Sequence, residues 1–508
     1  MTEKITTIGL KGMEGYRVTV EIQLIEGPEC VVIVGLPDAS VKEAKERITA
    51  ALHTFKQGLE EKVVINLSPA EQKKNGPMFD LPMAIGLLCA MNIIHDPINE
   101  HTGFIGSLSL DGTIQPVEGM LPAIIAAKKI GLKQLYLPFD EHLPSIEFSD
   151  LELIYVTSLQ DVMDHLSGQS IFSFHRKKEM KIEQKVHAVT FEQIIGHEYA
   201  KRALEVAAAG GHHFFMSGPP GCGKSMLAES FASIMPNLTS EEQLEVMSLY
   251  HLSDVALEDA NNRPFRTPHH SASSVSIIGG GQYPKPGEIS LAHHGVLFLD
   301  EIAEFSKKTL DMLRQPIETG YVTISRANAT VNYPAQFTMI GAMNPCPCGY
   351  LGATNYYCTC TKRQVIAYQN RLSGPIRDRF DIFLSLHGVN FNNYHKPSET
   401  SKDVQQRVKY ARKMQRERYG NNITNSRVSY DTLLQTSPLQ PSQQQMLRHI
   451  ATKQQLSNRT QIKIIRLART ISDLAQSDTI TDQSLWEAVK LNSRQSSSSV
   501  IGRIGTAR

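Results

Sequence analysis

Surplus charge of either sign is missing from this chain: 52 Lys and Arg face 51 Asp and Glu across 508 residues. No global field therefore draws it to a polyanion or a membrane, and any such surface must be a local patch. Long apolar runs are missing too. The longest, from Leu81 to Ile94, falls short of the roughly 20 residues a membrane helix needs. The opening MTEKITTIGL lacks the basic-then-apolar order of a secretory signal, so the expected location is the cytoplasm, with no membrane partner. Seven cysteines exclude a disulfide scaffold, yet four of them fall between 346 and 360, which points to a local site. No repeat of fixed period is present, which argues against a solenoid.

What is present is the composition of a folded protein, with 41% apolar and 20% charged residues. The length exceeds what one hydrophobic core usually organises, and about three domains are expected. Residues 1–165 alternate β-rich runs (VVIVGLP, KVVINLSP, LKQLYLP) with helical patterns, an α/β or α+β texture. Residues 166–188 carry a charge run without an apolar period and read as a linker. Over 189–395 short apolar strands precede glycine or acidic turns and helices, the texture of a doubly wound parallel sheet. Residues 396–495 are helical throughout, and 496–508 form a Ser/Gly-rich tail expected to be disordered.

HHFFMSGPPGCGKSMLA joins an apolar strand, a glycine loop and a helix start. Gly218, Pro219, Pro220, Gly221, Cys222 and Gly223 would close backbone N–H groups around phosphate oxygens, aided by the helix N-terminus. Lys224 would reach the β- and γ-phosphates, and Ser225 would place its hydroxyl on Mg²⁺. Seventy-odd residues on, GVLFLDE is a buried strand ending in Asp300, suited to the Mg²⁺ shell, and Glu301, suited to polarise an attacking water. The strand FTMIGAMNP ends in Asn344, whose amide can orient that water. LSGPIRDRFDIFL offers Arg379 either as an ion pair with Asp378 or Asp381 or as a charge for a neighbour's γ-phosphate. Arg459 opens an amphipathic helix in the last segment, where it could report nucleotide state.

Together GPPGCGKS, GVLFLDE, AMNP, GPIRDRFD and SNRTQIKIIRLARTISDL resemble the magnesium-chelatase branch of AAA+ ATPases. RPFRTPHHSASSVSIIGGG and NPCPCGYLG narrow the resemblance to the ComM/YifB family, over nearly the whole chain. The resemblance implies a multidomain α/β fold: an AAA+ P-loop core of parallel sheet and flanking helices, a Lon-protease-like α+β domain before it and a helical lid after it. It implies an ATP- and Mg²⁺-dependent homohexameric ring with active sites shared between subunits. Lys224 and Ser225 become Walker A, Asp300 and Glu301 Walker B, Asn344 sensor 1, Arg379 the trans finger and Arg459 sensor 2. The family's motor is similar to that of MCM helicases and is implicated in DNA branch migration during natural transformation. Single-stranded or branched DNA and recombination proteins are the partners implied. In the first domain, Met78 and Ala123 stand where Lon's serine and lysine would be; without nucleophile or base no peptidase activity is expected.

By the same resemblance, GYVTISRANATVNYP is a hairpin whose Arg326 contacts phosphate, the alternative being a solvated arginine. Tyr283 and Lys285, in IIGGGQYPKPGE, belong to a mobile loop able to grip a strand, or to a mere connector. The helix over 402–418 has seven basic and two acidic side chains and suits nucleic acid, an acidic partner or plain solvation. His269, His270, His293 and His294 read as polar or core histidines rather than ligands, since adjacent histidines rarely face one ion. Cys346, Cys348, Cys358 and Cys360 could close on one structural Zn²⁺, or stand as buried thiols or a redox pair. Two further function classes remain: a chelatase-like remodeller of a partner protein, and an N-terminal binding module switched by the ATPase.

Overall fold

Two separate hydrophobic cores form along the chain. The computed structural model describes residues 2–54, 61–141, 143, 150–169, 189–253, 255–257, 259, 261–281, 284–326, 329–353, 356–388, 399–420 and 423–493. The linker and tail expected from the sequence lie almost entirely outside them. The chain divides into two compact units, one of Met1–Glu183 with Met247–Leu257 and Thr323–Tyr333, the other of the remainder.

In the first unit, β1 (Glu3–Lys11) and β2 (Glu14–Ile25) pair antiparallel, from Glu3 opposite Ile22 to Lys11 opposite Glu14. Period-two alternation sends Val18, Val20 and Ile22 inward. With β3 (Cys30–Val34), β4 (Lys62–Ser68), β5 (Thr102–Phe104), β6 (Gln134–Pro138) and β7 (Glu152–Val156) they make a mixed sheet in the order β3-β4-β2-β1-β5-β6-β7. The helices α1 (Ala39–Thr54), α2 (Asp80–Ala90) and α3 (Met120–Ile130) belong to the same unit. The longest apolar run of the sequence becomes α2, buried from Asp80 to Cys89. Gly86 lets it approach the sheet, since a Cβ there would lie 2.7 Å from Ile22 Cδ1.

Asp80, fully buried at the start of α2, accepts two bonds from Arg47, at 2.7 and 3.0 Å, and one each from Ser107 Oγ and Leu108 N–H at 3.2 Å. Burial raises its carboxyl and Arg47 opposes that shift. Met78 and Ala123 are both buried; neither offers a nucleophile or a base.

In the second unit, β8 (Phe214–Ser217), β9 (Phe265–Arg266), β10 (Val296–Leu299), β11 (Thr338–Met343) and β12 (Ile382–Ser385) form an all-parallel sheet in the order β9-β10-β11-β8-β12. VLFL and TMIGAM are buried at every position, as strands covered on both faces must be. The chain leaves β8 for one edge, returns through β10 and β11, and then crosses to β12. That reversal opens a crevice beyond the carboxyl end of β8, where ligands of such sheets bind.

The helices α4 (Glu198–Gly210) and α5 (Lys224–Ile234) flank this sheet, and α6 (Ser401–Tyr419), α7 (Asn458–Leu474) and α8 (Asp482–Asn492) follow it. Thr400, Ser457 and Thr481 cap the last three, each accepting a backbone N–H in the first turn. Val404, Val408 and Ala411 of α6 and Leu467 and Ile471 of α7 join the same core as β8 and β11. The basic helix of the sequence is α6, and three of its seven cations are used internally. Arg407 pairs with Glu205 and Glu399, Arg412 donates to Ala208 O at 3.1 and 2.8 Å, and Arg418 pairs with Asp473.

Candidate active site

The strand FFMS runs into Gly218–Gly223 and then α5, and the turn demands glycine twice: Gly221 and Gly223 have φ of 76° and 85°. Gly218 is constrained by space, since a Cβ there would sit 2.7 Å from Cys222 Sγ and 2.9 Å from Leu386 O. Cys222 thus fills the inside of the loop, and burial raises its thiol. No side chain caps α5, whose first N–H groups face the loop as anion donors.

Lys224 folds over this loop. Its ammonium has three donors and meets three acceptors: Gly218 O at 2.8 Å, Pro219 O at 3.0 Å and Asn344 Oδ1 at 3.1 Å. The last bond joins the loop to the end of β11, the neighbour of β8 in the sheet. Ser225 Oγ donates to Asp300 Oδ2 at 3.3 Å, directly after β10. Hydroxyl and carboxylate oxygens are the donor set a hard cation such as Mg²⁺ takes together with phosphates.

Glu301 follows with φ 47° and ψ 45°, a left-handed conformation uncommon for a residue with a Cβ. Its N–H donates to Asp300 Oδ1 at 2.9 Å, and its own carboxylate is exposed. Strain of this kind concentrates at functional sites. His270, read from the sequence as a polar or core histidine, has Nδ1 3.9 Å from Glu301 Oε2.

Arg379 and Arg459 come together on Glu318: Arg379 Nη2 is 2.7 Å from Oε1, and Arg459 Nη2 bonds the same oxygen. Burial lowers the Arg379 guanidinium and Arg459 adds to that. Asp381, an alternative partner for Arg379 by sequence, instead faces Lys463 Nζ at 3.2 Å and His212 Nδ1 at 3.4 Å. Against the effect of its burial, Lys463 and His212 hold its carboxyl well below the ordinary range. Among the described residues, no hydrogen bond or ion pair links Arg379 or Arg459 to Lys224, Ser225, Asp300 or Glu301. Glu318 carried no signal in the sequence, being one acid in an ordinary helix, Arg314–Thr319.

The four clustered cysteines converge. Cys346 Sγ is 3.4 Å from Cys348 and 3.6 Å from Cys358, Cys348 is 3.6 Å from Cys358, and all four sulfurs lie within 4.8 Å of one another. Burial pushes the Cys346 thiol up to about 12. Cys348, despite burial, is lowered to about 6 by backbone N–H bonds from Tyr350 and Thr359.

His293 and His294 are polar histidines that face one carboxylate: their Nε2 atoms lie 3.0 and 2.7 Å from Glu245 Oε2. The N–H of Gln336 donates to His293 Nδ1 at 3.0 Å, so the neutral ring carries its proton on Nε2 and donates it to Glu245. That nitrogen of His293 has no lone pair for a metal, and the cluster is two imidazoles hydrogen-bonded to one carboxylate.

Of the proposed strand contacts, Arg326 ends the first strand of the hairpin Tyr321–Arg326 and Ala329–Pro334, but its side chain lies outside the described residues, as does Tyr283. Lys285 sits in a two-residue strand paired with Gly279–Gly280, so part of the expected loop is ordered ladder. The cysteine loop displays aromatics the sequence reading passed over: Tyr350 and Tyr356 pack with centroids 4.8 Å apart and planes tilted by 32°, and Tyr357 is 96% exposed.

Comparison with known proteins matches most of the chain's length. Residues 190–394 match magnesium chelatase, subunit ChlI; residues 20–141 match subunit ChlI of Mg-chelatase; and residues 398–492 match its C-terminal part. Competence protein ComM of Haemophilus influenzae is 37% identical over 488 residues, covering 94% of this chain and 95% of that one. The uncharacterized protein YifB of Escherichia coli is 39% identical over 489 residues, 94% of each. Lon protease 2 of Bacillus subtilis is 32% identical over 93 residues, 18% of this chain and 16% of that one. Among the described residues no helix is long and apolar enough to cross a membrane. With such identity sustained across the chelatase-type segments, the chain belongs to the ComM/YifB family of magnesium-chelatase-like AAA+ proteins.

Proposed function

We propose that this chain is the ATP-hydrolysing subunit of a homohexameric cytoplasmic ring acting on DNA, a helicase or branch-migration factor that promotes recombination during natural transformation. The observation that carries the ATPase reading is the meeting of Lys224 with Asn344 and of Ser225 with Asp300 at the ends of neighbouring parallel strands. The loop from Gly218 to Gly223 and the first N–H groups of α5 hold the phosphates, and Lys224 exchanges its present acceptors for β- and γ-phosphate oxygens. Mg²⁺, held by Ser225 and Asp300, would neutralise charge building on those oxygens. Glu301 orients the attacking water and takes its proton, with Asn344 fixing the water's position. Arg379 and Arg459 belong to the face that completes a neighbour's site.

The DNA part rests on similarity to Competence protein ComM along nearly the whole chain, on the hairpin whose first strand ends at Arg326, and on exposed Tyr356 and Tyr357, whose rings suit stacking of unpaired bases. The first unit, with no acyl chemistry to run, is a Lon-like module for docking recombination proteins. Zinc on Cys346, Cys348, Cys358 and Cys360 belongs to this reading as a structural ion. A second reading, remodelling of a partner protein, draws on the chelatase match of all three segments.

ATP turnover by wild type and Glu301→Gln, with and without single-stranded or forked DNA, tests the choice alongside displacement of a labelled strand. DNA-stimulated turnover with displacement, both lost in Glu301→Gln, is expected. Turnover indifferent to DNA would favour the remodeller.

A further inference from the structure

The loop from Cys346 to Cys360 begins two residues after Asn344 and ends just before the helix Lys362–Gln369. Its sulfurs have the spacing of a metal shell. Four thiolates bound to Zn²⁺ at about 2.3 Å make a tetrahedron with edges of about 3.8 Å, and the closest pairs here stand at 3.4 to 3.6 Å. A disulfide needs sulfurs about 2.0 Å apart, and none of the four is so paired. Backbone N–H groups point at the sulfurs as well: Leu351 at Cys346, Tyr350 and Thr359 at Cys348, Cys360 at Cys358. Such outer donors stabilise thiolate charge and orient ligands.

The same loop leans on the phosphate cradle at two points. Gly349, with φ 85°, passes so close to the P-loop crest that a Cβ would lie 2.8 Å from both Cδ and Cγ of Pro220. Its N–H donates to Cys346 O at 3.0 Å, which ties this contact to the first cysteine. On the other side, Gln369 Nε2 donates to Pro345 O at 3.1 Å, clamping the residue between Asn344 and Cys346. Asn344 in turn accepts from Lys224 at 3.1 Å.

We infer that Cys346, Cys348, Cys358 and Cys360 bind one zinc ion, and that this knuckle, through Gly349 against Pro220, holds the P-loop in its nucleotide-binding shape. The inference rests on the ATP-site reading and adds a dependence of nucleotide affinity on a metal outside that site. With zinc bound, the loop is a rigid wall behind Pro220. Without it, the thiols separate and both Pro220 and Asn344 lose their support.

The test uses the purified full chain, zinc content by mass spectrometry and affinity for a fluorescent ATP analogue with Mg²⁺. One zinc per chain is expected in wild type and in Gly349→Ala, and none in Cys358→Ser/Cys360→Ser. Both variants should bind nucleotide about tenfold or more weakly, the scale of loss when a binding group shifts by about 1 Å. Stripping zinc from wild type with a mercurial thiol reagent should reproduce the loss; thiol alone, which also frees Cys222, should not restore affinity, and thiol plus zinc should, which separates the effect from a variant's misfolding. Wild type without zinc would overturn the inference. So would stripped protein and Gly349→Ala binding nucleotide as wild type does, an outcome that leaves the ATP site standing. Zinc-loaded wild type that binds no nucleotide would instead sink the ATP-site reading itself, and the inference with it.

Discussion

Arg379 is held by Glu318, Nη2 to Oε1 at 2.7 Å, and Arg459 takes the same carboxylate oxygen. One acid thus gathers two cations from elements far apart in sequence, leaving an excess of positive charge on that face. Two arginines on one carboxylate suit a more highly charged anion, which is the role proposed for them at a γ-phosphate.

Arg379→Ala is therefore expected to lower ATP turnover by about a hundredfold or more while nucleotide affinity stays within about threefold, as for an arginine acting on transition-state charge. Steady-state turnover and equilibrium binding on one preparation decide it. Unchanged turnover would leave the Glu318 cluster a structural ion pair.

Lys224→Ala and Glu301→Gln should separate binding from chemistry. The first removes the ammonium bound to Gly218, Pro219 and Asn344 and should weaken nucleotide binding about a hundredfold. The second keeps the backbone bond to Asp300, and should bind nucleotide normally while turning over at less than about one per cent of the wild-type rate. Loss of binding in Glu301→Gln would contradict its assignment to the water.

Burial lowers His213 to about 3 and His293 to about 4 from an ordinary 6.5, and lowers His212 as well. Since the folded values lie below the unfolded one, the unfolded chain takes up protons first as pH falls. The stability contributed by these neutral rings is complete above about pH 6.5 and is lost progressively as pH falls toward about 3. Asp381 and Glu245, both held below the ordinary carboxylate range, act in the same direction at lower pH. The Tm of the full chain should accordingly be lower at pH 5 than at pH 7, and equal values would contradict the argument.

Arg47→Ala should destabilise the first unit by about 3 kcal/mol or more, because it strands the buried Asp80 carboxylate. Asp80→Asn, which removes the charge and keeps a polar group for Arg47, should cost less. Denaturant unfolding of both variants gives the comparison, and equal losses would mean that the charge itself is not what Arg47 compensates.

How much of this was readable in the chain follows from the range of the interactions. The P-loop, the acidic strand end after VLFL and the amide after TMIGAM are encoded within a few residues. There the chemistry depends on one strand or one turn, and period and turn residues suffice to place it. The four cysteines were visible as a cluster for the same reason.

Tertiary packing alone decided the rest. Composition counts seven cations on α6, but only the packing of that helix commits Arg407, Arg412 and Arg418 to internal partners. Glu318 and Glu245 carry no motif; they matter because nonlocal elements bring Arg379, Arg459, His293 and His294 to them. That Gly349 touches Pro220 follows from β11 lying beside β8 in the sheet, so that the loop after one strand meets the loop after the other. A sequence records which groups are available; which of them share a charge, a proton or a wall is fixed when strands distant in the chain pair side by side.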